Sequence, residues 1–134
     1  MKNIPRRGAA AVELAILLPF LALIFSAVID FGRVFYATQA LDNAASVAAM
    51  AASGTTWVPS TTTTADAAKA AAVTEGATLS PALTAEQVSV TVAGGAATVT
   101  VTYDFPLLTG SLIPGRSVSL QRSSTVRVAP RPGD

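Results

Sequence analysis

Two residues in this 134-residue chain are placed to take part in chemistry, and both lie near its start. Gly8 follows Arg6-Arg7 and precedes a long apolar run. It is a small residue at the junction of a basic and an apolar stretch. Glu13 places a carboxylate inside the apolar run, five residues after Gly8. A charge in hydrocarbon costs a few kcal/mol at the bilayer centre and less at the edge, so Glu13 needs a partner or a place among headgroups. Other chemistry is missing from the composition. The chain has no His and no Cys, which removes Cys/His zinc sites, Ser-His-Asp triads, thiol nucleophiles, disulfides and lipidated cysteines. Glu75, Glu86 and Asp104 are isolated carboxylates with no acid/base spacing. The expectation is therefore no enzyme, no metal site and no cofactor. A net charge of +1 argues against a nucleic-acid partner.

The elements that carry these residues follow from where the apolar residues fall. Hydrophobic residues make up 51% of the chain and charged ones 13%, about half the usual charge of a soluble domain. No charge occurs from Leu14 to Ile29, and Ala9–Ile29 spans 21 residues, enough to cross about 30 Å of hydrocarbon as a helix. Lys2, Arg6 and Arg7 precede it with no acid among them. That asymmetry predicts a cytoplasmic N-terminus, with everything after the span outside. The helical pattern continues through Asp30 to Ala52, and Gly54 is the first good stop. A helix over Ala9–Ala52 would be about 66 Å long, twice the bilayer core, so its upper half must stand above the membrane. Val34, Ala37, Leu41, Ala44 and Ala48 form a stripe on that upper half. Pro19, inside the apolar run, is expected to kink or loosen the helix.

Beyond Gly54 the composition changes. Thr55–Thr64 reads as a loop containing Trp57 and Pro59, Ala65–Glu75 as a short helix stopped by Gly76, and Ser80-Pro81 as the start of one more helical turn. Val88–Val92 and Val99–Phe105 alternate with period two around Gly94-Gly95, which predicts a hairpin pairing Val88 with Val101, Val90 with Val99, and Val92 with Ala97. A third strand is expected over Ser117–Val128, after a long connection from Pro106 to Gly115. Arg122 shares the parity of its apolar residues, which calls for a bulge near Ser123 or an edge position. The expected fold is α+β. A long N-terminal transmembrane helix is followed by a short helix and a small antiparallel sheet of about three strands. The expected divisions are a leader over 1–8, the long helix over 9–53 with its span at about 9–29, and an extracytoplasmic α+β domain over 54–134.

Glu13 at the headgroups is one reading of the start of the chain. A cleaved secretory signal is another, but its apolar core would run only about 7–15 residues. A third is a class III-type signal, cut on the cytoplasmic side after Gly8 with the helix retained. Residues 6–18 carry this last reading, and three stretches go beyond it: Arg6-Arg7-Gly8 with Glu13; Ile16-Leu17-Leu18-Pro19-Phe20; and Ile29-Asp30-Phe31-Gly32-Arg33-Val34-Phe35-Tyr36 with Gln39–Ala45. Together with a looser similarity over Val99–Leu108, they make the chain resemble the TadE-like minor pilins (pseudopilins) of the tight-adherence, or Flp, type IV pilus system. The resemblance departs from the major Flp pilins, which are much shorter and carry Tyr after the Glu, where this chain has Leu14.

The resemblance implies cleavage between Gly8 and Ala9 by prepilin peptidase, and recruitment of Glu13 to the new α-amine of Ala9 on a neighbouring subunit. It implies as partners the major and minor pilins, the Tad inner-membrane platform proteins and membrane lipids, and as function a role in pilus assembly and surface adhesion. The implied location is the cytoplasmic membrane, single-pass, with incorporation into a pilus. The alternative is a signal-anchored extracytoplasmic binding module with no filament role. Asp30 and Arg33 are expected to form an i,i+3 surface pair. Phe31, Phe35 and Tyr36 are expected as interfacial anchors. Arg116, Arg122, Arg127 and Arg131 are expected on a solvated face.

Overall fold

The computed structural model describes residues 7–54, 63–111 and 117–128. The expected Thr-rich loop with Trp57 and Pro59 lies outside these residues, as do Lys2, Arg6, Arg116 and Arg131. In chain order the elements are α1 (Arg7–Ala52), α2 (Thr64–Glu75), β1 (Val88–Ala93), β2 (Ala96–Pro106) and β3 (Ser117–Arg127), with short 3-10 turns at Gly76–Thr78, Ala85–Gln87 and Thr109–Ser111. The fold is α+β.

One unbroken run of 46 residues forms α1, with Pro19 inside it. It ends where the Ser53 hydroxyl and amide both donate to the Met50 carbonyl, at 2.6 and 3.1 Å. Gly54 then takes φ +77°, a left-handed conformation that a side chain would resist. The next helix, α2, begins one residue before the expected Ala65. Thr63 caps it, its hydroxyl accepting from the Asp66 amide at 3.1 Å. At the far end of α2, a Cβ on Gly76 would sit 2.5 Å from the Leu83 Cβ. Gly76 is thus required by a close approach rather than by its backbone conformation, which at φ −79° is open to any residue.

No helical turn begins at Ser80-Pro81; the 3-10 turns fall on either side of it. The physical reason is a competing acceptor role. The Pro81 carbonyl accepts a 2.6 Å hydrogen bond from the Tyr103 hydroxyl, and Leu79 and Leu83 are drawn into the core on either side. The segment is a cover for Tyr103.

The sheet has order β1-β2-β3 and is antiparallel throughout. Its hairpin register is the expected one, with Val88 opposite Val101, Val90 opposite Val99 and Val92 opposite Ala97. Gly94 and Gly95 turn it at φ +59° and +73°, a pair of left-handed residues that suits the right-handed twist of the strands. Along β2 the side chains alternate: Ala97, Val99, Val101, Tyr103 and Phe105 are buried on the helix-facing side. No bulge interrupts the β2–β3 register, where Arg122 lies opposite Val101. Arg122 is accommodated because β3 is an edge strand and its Nε reaches the Asp42 carboxylate of α1 at 3.1 Å.

The core is a sandwich of helix and sheet. The upper half of α1 buries Ala37, Leu41, Ala44, Ala45, Ala48, Ala49 and Ala52, and α2 adds Ala68 and Ala72. Alanine on the helices lets the backbones approach closely, while the sheet supplies the bulk in Tyr103, Phe105, Val99 and Val101. An Asn43–Glu75 hydrogen bond of 2.8 Å ties α1 to the end of α2.

Candidate assembly and membrane-anchoring site

Gly8, Ala9, Glu13 and Pro19 all lie on the lower part of α1, and all are exposed among the described residues. Every large apolar residue from Val12 to Ile29 is also exposed, by between 41% and 70%. This stretch is apolar and long enough to cross a membrane, and none of its most apolar 18-residue window is buried. It is a candidate membrane anchor. Ala9 and Glu13 are one helical turn apart and share a face. Glu13 stands 17 residues below Asp30, about 26 Å along the axis, so the fold does not bring it near the sheet.

The surroundings change at Asp30, the first charge after the apolar run. Asp30 is buried, and its carboxylate is the point where the sheet is fastened to the helix. One oxygen accepts from the Leu108 amide at 2.8 Å. The other accepts from the Thr109 amide at 2.8 Å and from the Thr109 hydroxyl at 2.7 Å. Arg33 is a weaker partner, with Nη1 at 3.4 Å. The i,i+3 pair therefore exists, but it is not the surface pair its spacing suggested. Its carboxylate is spent on a loop 78 and 79 residues away. Burial alone would raise the Asp30 pKa. The hydrogen bonds from Thr109 and Leu108, with Arg33 beside them, outweigh that and hold it below the usual carboxylate value.

The Arg33 guanidinium also lies over the Phe105 ring, 5.0 Å from its centroid. The ring of Tyr103 sits at a tilt to that of Phe105, with centroids 6.4 Å apart. Burial pushes the Tyr103 phenol up, against a smaller opposing effect of Arg33. Arg33, Phe105, Ile29, Gly32, Tyr36 and the Thr78–Ser80 turn enclose a cleft of about 370 Å³ beside the last residue of the apolar run. Of the expected interfacial aromatics, Phe31 and Phe35 project freely, whereas Tyr36 is exposed but lines this cleft.

Sequence reasoning missed the Asp30 latch, the cleft and the Asp42–Arg122 and Tyr103–Pro81 contacts. A partial signal was present for the first: an acid immediately after an uncharged run is costly unless it is satisfied. Nothing local pointed to Leu108 and Thr109 as its donors.

Residues 8–50 match the family model of the TadE-like proteins. The matched segment covers nearly all of α1, bare and packed halves together. No curated protein and no solved structure matches the chain.

Proposed function

With a TadE-like segment as its N-terminal third, we propose that this chain is a minor pilin, or pseudopilin, of a Tad/Flp-type pilus, required for biogenesis or assembly of the filament and for the adhesion it supports. The observation that carries the proposal is the division of one continuous helix. Its lower half presents an unbroken apolar surface with Glu13 on it, and its upper half is sealed into a small α+β domain. A subunit built this way can rest in a bilayer and later exchange lipid for neighbouring helices without refolding.

In this reading 1–8 is a leader. Prepilin peptidase cuts between Gly8 and Ala9, and a small residue at the cut leaves its active site unobstructed. The positive charges of Lys2, Arg6 and Arg7 keep that end in the cytoplasm and place the α+β domain outside. After the cut, Glu13 attracts the Ala9 amine of an adjacent pilin. In low dielectric that pair is favourable only with good geometry, and a misplaced subunit strands both charges. Glu13 thus sets register and recruitment more than stability. Other pilins and the inner-membrane platform proteins are the partners.

The test is the N-terminus of the membrane-extracted protein, read by mass spectrometry in a strain that has the peptidase. Processing to Ala9, blocked by Gly8→Trp, is the expected result. An intact N-terminus in that strain would defeat the pilin reading. Normal pili in a deletion strain would favour the anchored binding module instead.

A further inference from the structure

We propose that the cleft between α1 and the Thr78–Ser80 turn is a binding site for the headgroup of an anionic phospholipid, with Arg33 as the phosphate-binding cation. The proposal rests on reading Ala9–Ile29 as a membrane span. The cleft is lined by Ile29, the last residue of that uncharged run, and by Gly32 one turn above it. Its mouth is therefore continuous with the lipid-facing surface and opens at headgroup height.

The charge arrangement selects the occupant. Asp30 looks like the counter-ion of Arg33, yet its two oxygens already accept three bonds of 2.7–2.8 Å from Leu108 and Thr109. Among the described residues, Arg33 is left with one polar contact, of 3.4 Å. A guanidinium carries five donors in a rigid fork suited to phosphate, and here one face is held against Phe105. The hydroxyl-bearing residues Thr78, Ser80 and Tyr36 are on the same lining, while Ile29, Leu79 and Phe105 supply apolar surface for the glycerol and the first acyl carbons. A cavity of about 370 Å³ is of the size that takes a small ligand.

A second copy of the chain fits less well. At the same depth on a parallel neighbour, the acid available on α1 is Asp30, which is buried and bonded. Glu13 lies far below, and Asp42, above, is already paired with Arg122.

The experiment uses the full chain in nanodiscs of phosphatidylcholine and phosphatidylglycerol, with retained lipids identified by native mass spectrometry. Wild type is expected to retain phosphatidylglycerol in preference to phosphatidylcholine. One basic residue at an anionic leaflet is worth about fivefold in association, so Arg33→Gln should reduce retention by about that factor. Gly32→Leu should reduce it while leaving the cation in place. A Cβ at Gly32 meets nothing within 4 Å, and leucine favours helix, so this variant fills the cleft without disturbing the fold. Arg122→Gln, on the edge strand, should behave as wild type.

Equal retention of both lipids, or no change in Arg33→Gln, would overturn the site. So would displacement of phosphatidylglycerol by millimolar inorganic phosphate, or loss of a dimer in place of lipid in Gly32→Leu. A chain that never enters the nanodisc overturns the membrane span, and the lipid site with it. A chain that enters without lipid preference overturns the site alone.

Discussion

Above Asp30 and below it, α1 is one helix with two kinds of surface. Between Val12 and Ile29 the large residues Leu, Ile, Val and Phe are all exposed among the described residues. From Ala37 to Ala52 the buried positions are six alanines and Leu41, under a sheet that supplies the larger side chains. Burial thus runs opposite to size along the helix. Where other backbones must come close, the helix carries methyl groups. Where no described element packs on it, it carries bulk. Apolar character alone does not distinguish a protein core from a membrane or assembly surface; side-chain size and the elements within reach do.

The sharpest way to break this comparison is a change on the bare half that spares folding. Glu13→Gln should leave membrane level and cleavage unchanged but abolish incorporation with other pilins and the pili that depend on it. Pulldown of pilins and pilus yield, measured in one strain set, check this. Normal pili containing the variant would remove the recruitment role. A pair of leucines sharpens the contrast next. Leu41→Ala, fully buried, should destabilise the α+β domain by about 2–5 kcal/mol. Leu17→Ala, on the bare half, should leave that domain's unfolding in detergent unchanged, as followed by circular dichroism.

The boundary itself has a pH dependence. The Asp30 pKa is lower in the folded state than in the unfolded chain, so the folded protein holds its proton less tightly. Its stabilisation is complete above the unfolded value and is lost as pH falls from about 4 through the lower folded value. Asp30→Asn should remove that acid-labile part, flattening the stability profile in this range while lowering stability at neutral pH. An unchanged acid limb in Asp30→Asn would show that Asp30 does not titrate with folding. The smallest effect is expected at the exposed Asp42–Arg122 pair, both partners more than a third exposed. Arg122→Gln should cost about 0–1 kcal/mol in denaturant unfolding and shrink with salt.

Much of this arrangement was legible in the residues, for local reasons. The Ala-rich run from Asp30 and the stop at Gly54 marked the helix. Gly94-Gly95, between two strands of matched parity, marked the hairpin and its register. The Ser80-Pro81 expectation failed because good capping chemistry competes with tertiary demand, and there the Tyr103 hydroxyl claimed the carbonyl. Arg122 was recognisable as a conflict in the strand pattern. Its resolution by Asp42 needed the packing of β3 against α1, a contact between residues 80 positions apart. The candidate site divides in the same way. Gly8, Ala9 and Glu13 stand out through composition and spacing in a continuous stretch, and the family match falls on that stretch.

By itself the sequence determined the helix, the hairpin, the strand parities and the apolar run that can serve as an anchor. These depend on neighbours within a few residues, whose propensity and periodicity are written in order. Tertiary structure alone decided that Asp30 is a buried latch and that Arg33 is turned over Phe105 and toward a cleft. The reason is that a carboxylate's surroundings are set by whichever donors the chain brings to it. The amides of Leu108 and Thr109 reach Asp30 only after the sheet has closed onto the helix.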